Sequence, residues 1–573
     1  MNRLDTDVLI LGAGGAGLFA ALHAKKANPE LDVTIAVKGL LGKCGCTRMV
    51  QGGYNVALDP RDSIERHFMD TIEGGSWLNH QDLAWLLVTT APVRIRELET
   101  ELGCFFDRNP DGTVHQKAFA GQTFDRTVHK GDLTGIEIIN RLAEQTWRRD
   151  VRRLEDFRAL DFLPAADGSG LAGVLMLDMR TGEPLLVRGR ATLLATGGGP
   201  TMYKYHTPSG DKSCDGMAMA LRAGLPLRDM EMVQFHPTGL LAGEGTRMTG
   251  TVLEEGLRGS GGHLIDATGE RFMLGYDARG ERATRDIVSR AIMDRIRKGH
   301  ASPHGGVWIS MGHLGPDNVR REFKGMVERC ADCGFDLAAG RVEVIPTAHY
   351  MMGGVVFAPD CTTPMPRLYA AGEDTGGVHG ANRLGGNGVA NSTVFGGLAG
   401  DAIGASTRRD AALAEIDKPA LDRTMARAFG PLGRKTGDLA GIRRRLYDVM
   451  WNDVGILRTA ETLARGHAAL EALAGELADS GIPDGERRYN LTWIDHLNLE
   501  NLVLVSRAIC AAAEARCDSR GAHFREDFPN TSDLASSHYT LVRAADDALS
   551  VASAPVDFSR VLPGQSLLSA AAE

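Results

Sequence analysis

The chain has 573 residues, 43% of them hydrophobic; at about 150 residues per domain this allows roughly two to four domains and excludes fibrous and disordered classes. With 64 Lys and Arg against 73 Asp and Glu the net charge is −9, which excludes nucleic acid and anionic lipid as bulk partners. The 70 glycines exceed the average share of about 7% without a collagen period, a sign of many close approaches between backbone and ligand. Asp7-Val8-Leu9-Ile10-Leu11 reads as a buried parallel strand. Gly12-Ala13-Gly14-Gly15-Ala16-Gly17 then turns into an alanine-rich helix to about Lys26, and Asp32 to Val37 reads as a second strand. This is a βαβ dinucleotide fold. Gly12 makes the tight turn, Gly14 lets the backbone approach a pyrophosphate, and Gly17 lets helix and strand pack, while the helix N-terminus favours the anion. The second strand ends Ala36-Val37-Lys38, without the acid that would bind the adenosine ribose of NAD.

Three further glycine turns lie far apart: Gln51-Gly52-Gly53, then Ala191 to Gly199, then Leu368-Tyr369-Ala370-Ala371-Gly372-Glu373-Asp374. They imply one extended ligand wrapped by one discontinuous domain, which fits FAD better than NAD. Val8 to Ala24 is nearly uncharged, but Asp5, Asp7 and four glycines argue against a signal peptide. No run of eighteen apolar residues appears elsewhere, so no membrane span is expected. Nine scattered cysteines argue against a secreted disulfide framework. A cytoplasmic protein is expected, or one held at the inner membrane through a partner.

The strings Gln234-Phe235-His236-Pro237-Thr238-Gly239, Pro346 to Gly354 and His379 to Asn387 resemble the flavoprotein subunit family of succinate dehydrogenase and fumarate reductase, with L-aspartate oxidase as a related branch; Ser519 to Pro529 matches a further stretch. The resemblance covers nearly the whole chain. It implies an α/β architecture: a Rossmann-like FAD-binding domain (1–235 and 351–405) interrupted by an α+β capping domain (236–350), then a helical domain (420–530) and a C-terminal tail (531–573). Helical apolar spacing from Leu439 to Leu477 and Leu497 to Ala515 agrees with this.

The resemblance also implies the chemistry: an FAD-dependent dehydrogenase or reductase acting on a C–C bond beside a carboxylate in a small dicarboxylate-like acid. His236, His349 and Arg383 would hold substrate carboxylates, Arg383 as a bidentate fork. Arg285 would move the proton, and because arginine is a poor acid in water it needs a dry site and a carboxylate relay, matched by Glu255 and Arg258. Candidate cofactor contacts are Gly12, Gly14, Gly15, Gly17, Lys38, Cys46, Thr47, Gly52 and Gly53. Later in the chain they are Thr196, Gly197, Asp215, Glu373, Arg383, Gly388 and Val389.

The chain departs from the family pattern in places. Glu254 replaces a threonine that touches substrate, and its charge would repel a second carboxylate unless protonated or turned away, so an amide, hydroxyl or amine at that end is an alternative. Phe119 stands where L-aspartate oxidases place a glutamate, which disfavours plain L-aspartate. Cys46 replaces the histidine that bonds the flavin 8α carbon, so noncovalent FAD is expected, a thioether being the alternative. Gly388 and Asn391 replace a serine and an aspartate near the isoalloxazine. Cys330-Ala331-Asp332-Cys333 is the one CxxC and lacks two more ligands at comparable spacing, so no metal site is expected. Electrons from reduced flavin must then reach a quinone, oxygen, another flavoprotein or an iron–sulfur partner protein. Two other readings stand beside the first: C–N oxidation of an amino acid, and an electron-transfer subunit of a larger complex.

Overall fold

A computed structural model describes residues 1–243, 245–545 and 548–568. Its first layer is a seven-stranded sheet. Asn2–Leu11 lies between Val33–Val37 and Glu183–Leu194, parallel to both, and Val151–Glu155 flanks Val33–Val37. Thr6 to Leu11 are all buried, because a central parallel strand is covered on both faces and reads as a continuous apolar run. Leu171–Asp178 and Phe157–Pro164 extend the sheet in antiparallel fashion. Leu368–Ala370 returns from far along the chain to pair with Glu183–Leu194, which brings the late glycine turn to the edge where the early one sits.

Two helices, Gly15–Ala27 and Asn387–Ser406, pack face to face on this sheet. Neither is amphipathic, since both are covered nearly all round. Their approach depends on glycines: a Cβ on Gly396 would lie 2.5 Å from the Ala16 carbonyl oxygen, and one on Gly400 2.4 Å from that of Ala20.

Val233–Leu240, Arg341–Met351, Val307–Ser310 and His263–Ile265 form a separate antiparallel sheet with its own apolar core, including Leu257, Val288, Ile292, Ile309 and Val344. Helices Leu439–Asn452, Ala460–Asp479 and Leu491–Ala515 follow. The stretch 531–573, read above as a tail, holds an antiparallel hairpin, His538–Ala545 with Ala548–Pro555, whose first strand pairs with Leu227–Arg228. Its outer strand buries no residue fully, and only Leu549 and Val551 pack partly against the core, an alternation too short to mark a strand by itself. Among the described residues no helix is long and apolar enough to cross a membrane.

Candidate active site

A cavity of ≈ 530 Å³ runs from the C-terminal edge of the large sheet to the second sheet. Gly12, at φ 109°, could not carry a side chain, since a Cβ would lie 2.1 Å from the Ala195 carbonyl oxygen. A Cβ on Gly17 would lie 1.9 Å from the Gly12 carbonyl oxygen; Gly17 packs the helix and does not line the cavity. Above Gly14 there is open space, with nothing nearer than Thr47 Oγ1 at 3.7 Å. The Gly15–Ala27 helix begins with no side-chain cap and no acid in its first turn, and only the Gly15 N–H is engaged, donating to Thr47 Oγ1 at 3.0 Å. An uncapped helix N-terminus beneath open space fits the pyrophosphate of a dinucleotide.

An acid from elsewhere in the chain meets the lysine that ends the second strand. Lys38 Nζ meets Asp215 Oδ2 at 2.7 Å, and Asp215 also accepts from Arg158 (2.8 Å), Ser213 (2.7 Å) and Asn501 (2.6 Å). Burial opposes the Asp215 charge, but Arg158 and Lys38 outweigh it and hold the carboxyl far below the usual range. Further along, Asp374 accepts from Thr196 Oγ1 (2.9 Å) and the Gly197 N–H (2.8 Å), and Glu373 accepts from the Met351 N–H at 3.0 Å. Burial pushes both carboxyls up to about 7. Cys46 lines the same wall, its thiol pushed up to about 12 by burial. Gly53, Gly388 and Val389 line the cavity too, and Asn391 Nδ2 donates to the Tyr350 hydroxyl at 3.2 Å.

At the inner end the charged groups are arranged differently. Arg285 opens the helix Arg285–Arg297, and Glu255 immediately precedes the short helix Gly256–Gly259 that carries Arg258. Arg285 Nη2 lies 2.6 Å from Glu255 Oε2, and Arg258 Nη2 lies 2.8 Å from Glu255 Oε1. Arg285 Nη1 donates to Gln234 Oε1 at 2.9 Å, and Arg258 Nη1 to the Glu281 carbonyl at 2.8 Å. Burial opposes the Glu255 charge, but Arg285 and Arg258 outweigh it and hold the carboxyl down to about 2.

His236 and His349 come from neighbouring strands, Val233–Leu240 and Arg341–Met351, with ring centroids 5.5 Å apart. Each engages Nδ1 within the protein: His236 accepts from the Thr238 N–H at 3.3 Å, and His349 pairs with Thr207 Oγ1 at 2.8 Å. Burial, reinforced by Arg285, lowers both rings well below the usual histidine range, so they are neutral. Arg383 lies with its guanidinium 4.4 Å from the Tyr350 ring centre, and its Nε has no partner. Burial pushes it down to about 10, where it is still a cation at neutral pH. Arg285 and Arg258 share the Glu255 carboxylate, while Arg383 makes no ion pair among the described residues and feels Glu373 and Glu255 only through space, so a surplus of positive charge is left for a ligand to neutralise.

Phe119 lies over Gly52, where a Cβ would meet the ring at 2.3 Å. Glu254 is buried and lines the cavity, but it is not a lone anion: Lys117 Nζ lies 3.5 Å from its Oε2. Burial pushes its carboxyl up, against the pull of Lys117. The repulsion expected from the sequence is thus offset by a residue that reading missed, because Lys117 stands 137 positions away. Cys330 and Cys333 are free thiols at the end of the helix Lys324–Ala331.

Residues 7–389 match the FAD binding domain family, and residues 443–567 match the family described as fumarate reductase flavoprotein C-term. A fumarate reductase (CoM/CoB) subunit of Methanothermobacter marburgensis is 40% identical over 536 residues, covering 92% of this chain and 95% of that one. The fumarate reductase flavoprotein subunit of Escherichia coli is 34% identical over 550 residues, covering 92% and 89%. A mutant form of E. coli quinol fumarate reductase FrdA superposes with a TM-score of 0.92 at 32% identity, covering 99% of each chain. This chain belongs to the fumarate reductase and succinate dehydrogenase flavoprotein family and is an FAD-dependent oxidoreductase.

Proposed function

We propose that the protein interconverts fumarate and succinate, or a close dicarboxylate analogue, and that it works as the flavoprotein subunit of a larger redox complex. The observation that carries this reading is the surplus of buried positive charge at the inner end of the cavity, which suits a dianion. Bound FAD would supply the two-electron chemistry, as hydride donor or acceptor.

The chain's own residues do the rest. Arg383, His236 and His349 hold the two carboxylates, the histidines as neutral hydrogen-bonding groups. Holding both ends fixes the central bond, and Phe119 covers it and keeps water out. Arg285 gives the proton to the substrate carbon in reduction and takes it in oxidation. Its ordinary basicity is far too high for that task, so the ionised Glu255 carboxylate, in contact through Oε2, relays the proton: in reduction it takes one up from the side away from the substrate and passes it to Arg285, and in oxidation the transfer reverses. Arg258, on the other oxygen of Glu255, continues the path away from the substrate.

Glu254 bears on the C–N alternative. Its pairing with Lys117 leaves no free anion for a substrate ammonium, so a dicarboxylate is favoured over an amino acid. FAD is held without a covalent bond, since the neutral Cys46 thiol is a poor nucleophile. Electrons pass to a partner protein bearing a redox centre of iron–sulfur type, and through that partner the chain lies at the membrane surface. Anaerobic mixing of the photoreduced protein with a panel of small carboxylic acids tests the reading. Rapid return of the oxidised flavin spectrum with fumarate is expected; reoxidation by imino acids but by no unsaturated dicarboxylate would overturn it.

A further inference from the structure

Lys212 lies in the loop before the Asp215–Arg222 helix and lines the cofactor cavity, with a side chain 15% exposed. Gly199, at φ 97°, makes room for its stem, since a Cβ there would lie 2.5 Å from Lys212 Cβ. The Lys212 carbonyl is fixed by Thr201 Oγ1 at 2.6 Å, so the backbone that aims the side chain is anchored. Its one ion pair among the described residues is with Asp211, at 3.6 Å and with an acid that is 45% exposed. The thiols of Cys44 and Cys46 are its neighbours, but burial keeps both neutral at ordinary pH. A largely buried ammonium with so loose a partner is costly unless something else neutralises it.

The other cations of this wall are engaged. Lys38 and Arg158 are held by Asp215, and Arg48 donates to the Gly42 carbonyl and to Asn140. The Gly15–Ala27 helix offers backbone N–H groups but no charged side chain in its first turn. A dinucleotide brings a pyrophosphate dianion into this cavity, and the helix dipole neutralises only part of it.

We propose that Lys212 is a cofactor-binding residue whose ammonium pairs with the pyrophosphate of bound FAD and completes the phosphate site begun by the Gly15 helix. Nothing in the sequence reading marked it, because the glycine motif already accounts for a phosphate site. The proposal rests on the FAD dependence of the family and not on the substrate assignment.

The test is a titration of the full-length protein, stripped of cofactor, with FAD and with ADP, which keeps the pyrophosphate and lacks the flavin. Lys212→Met should weaken both ligands by about 10- to 100-fold at low salt and by less at high salt, the range for losing a charge-assisted contact. Lys212→Arg should stay within about fivefold, since it keeps the charge. Asp211→Asn should bind FAD as tightly as wild type or more tightly, because a competitor for the ammonium is removed. Should Lys212→Met fail to fold by circular dichroism, Lys212→Gln is read in the same way. The proposal is overturned if FAD and ADP bind the neutral variant within about twofold of wild type. It is equally overturned if Asp211→Asn weakens FAD as much as Lys212→Met, which would make the Asp211–Lys212 pair a strut of the loop and nothing more.

Discussion

The two ends of the cavity are both lined with buried charge, yet they balance it in opposite ways. At the adenosine end Lys38 and Arg158 close on Asp215, which Ser213 and Asn501 also satisfy, so little is left unpaired. At the inner end Arg285 and Arg258 share Glu255, Arg383 makes no ion pair among the described residues, and the Nε atoms of Arg258 and Arg383 have no partner. A saturated network stabilises the fold. A surplus weakens the empty protein and becomes useful only when a ligand of opposite charge arrives. Among these groups the saturated network sits where the second strand ends, and the surplus sits where the substrate is proposed to bind.

The largest expected effect sharpens the catalytic side of this contrast. Arg285→Gln should lower kcat by roughly 10³- to 10⁴-fold, in the range for loss of a positioned general acid, while FAD content stays unchanged. Steady-state rates and the flavin spectrum of the purified variant check it.

A paired experiment could break the contrast outright. Arg158→Met removes one member of the saturated network and should destabilise the FAD-free protein by about 3–5 kcal/mol. Arg383→Met removes one member of the surplus and should leave the melting temperature of the FAD-free protein equal or higher, while kcat/KM for the dicarboxylate falls about 10- to 100-fold. Thermal melts of both variants decide it; equal destabilisation by the two would mean that the ends are not built differently.

A smaller effect concerns pH. Burial raises Glu373 to about 7, above its unfolded value, so the folded protein binds the extra proton. Stability contributed by the protonated form is full at low pH and is lost as pH rises through about 7. In Glu373→Gln the FAD-free protein should lose less stability between mildly acid and mildly alkaline pH, by about 2–5 °C in Tm. The smallest expected effect is none: FAD should leave on acid precipitation from wild type and from Cys46→Ser alike, and flavin retained by the wild-type polypeptide alone would show a thioether.

What the sequence made legible was local. The Gly12 to Gly17 turn reads directly, because Gly12 and Gly17 each press on a backbone carbonyl while Gly14 leaves the helix N-terminus open. His236, His349, Arg285, Glu255 and Arg383 were reached through motif resemblance, and their proximity depends on how two sheets and a helix meet, which no single window encodes. The partners that set the charge of each group were the least legible. Asp215 pairs with Lys38 from 177 positions beyond it, and Lys117 offsets Glu254 from 137 positions before it. The C-terminal hairpin was missed for a different reason: only Leu549 and Val551 of its outer strand reach the core, too short an alternation to stand out.

The inner site carries a surplus of positive charge that suits a dianion. The most direct measurement is the rate at which fumarate and its monoamide, nearly equal in shape but differing by one charge, reoxidise the anaerobically reduced protein. We expect fumarate to be favoured in kcat/KM by about 100-fold or more, as for loss of a charge-assisted pair in a buried site. Equal rates, or preference for the monoamide, would contradict the claim and return Glu254 to the role of a carboxylate that selects against a second anion.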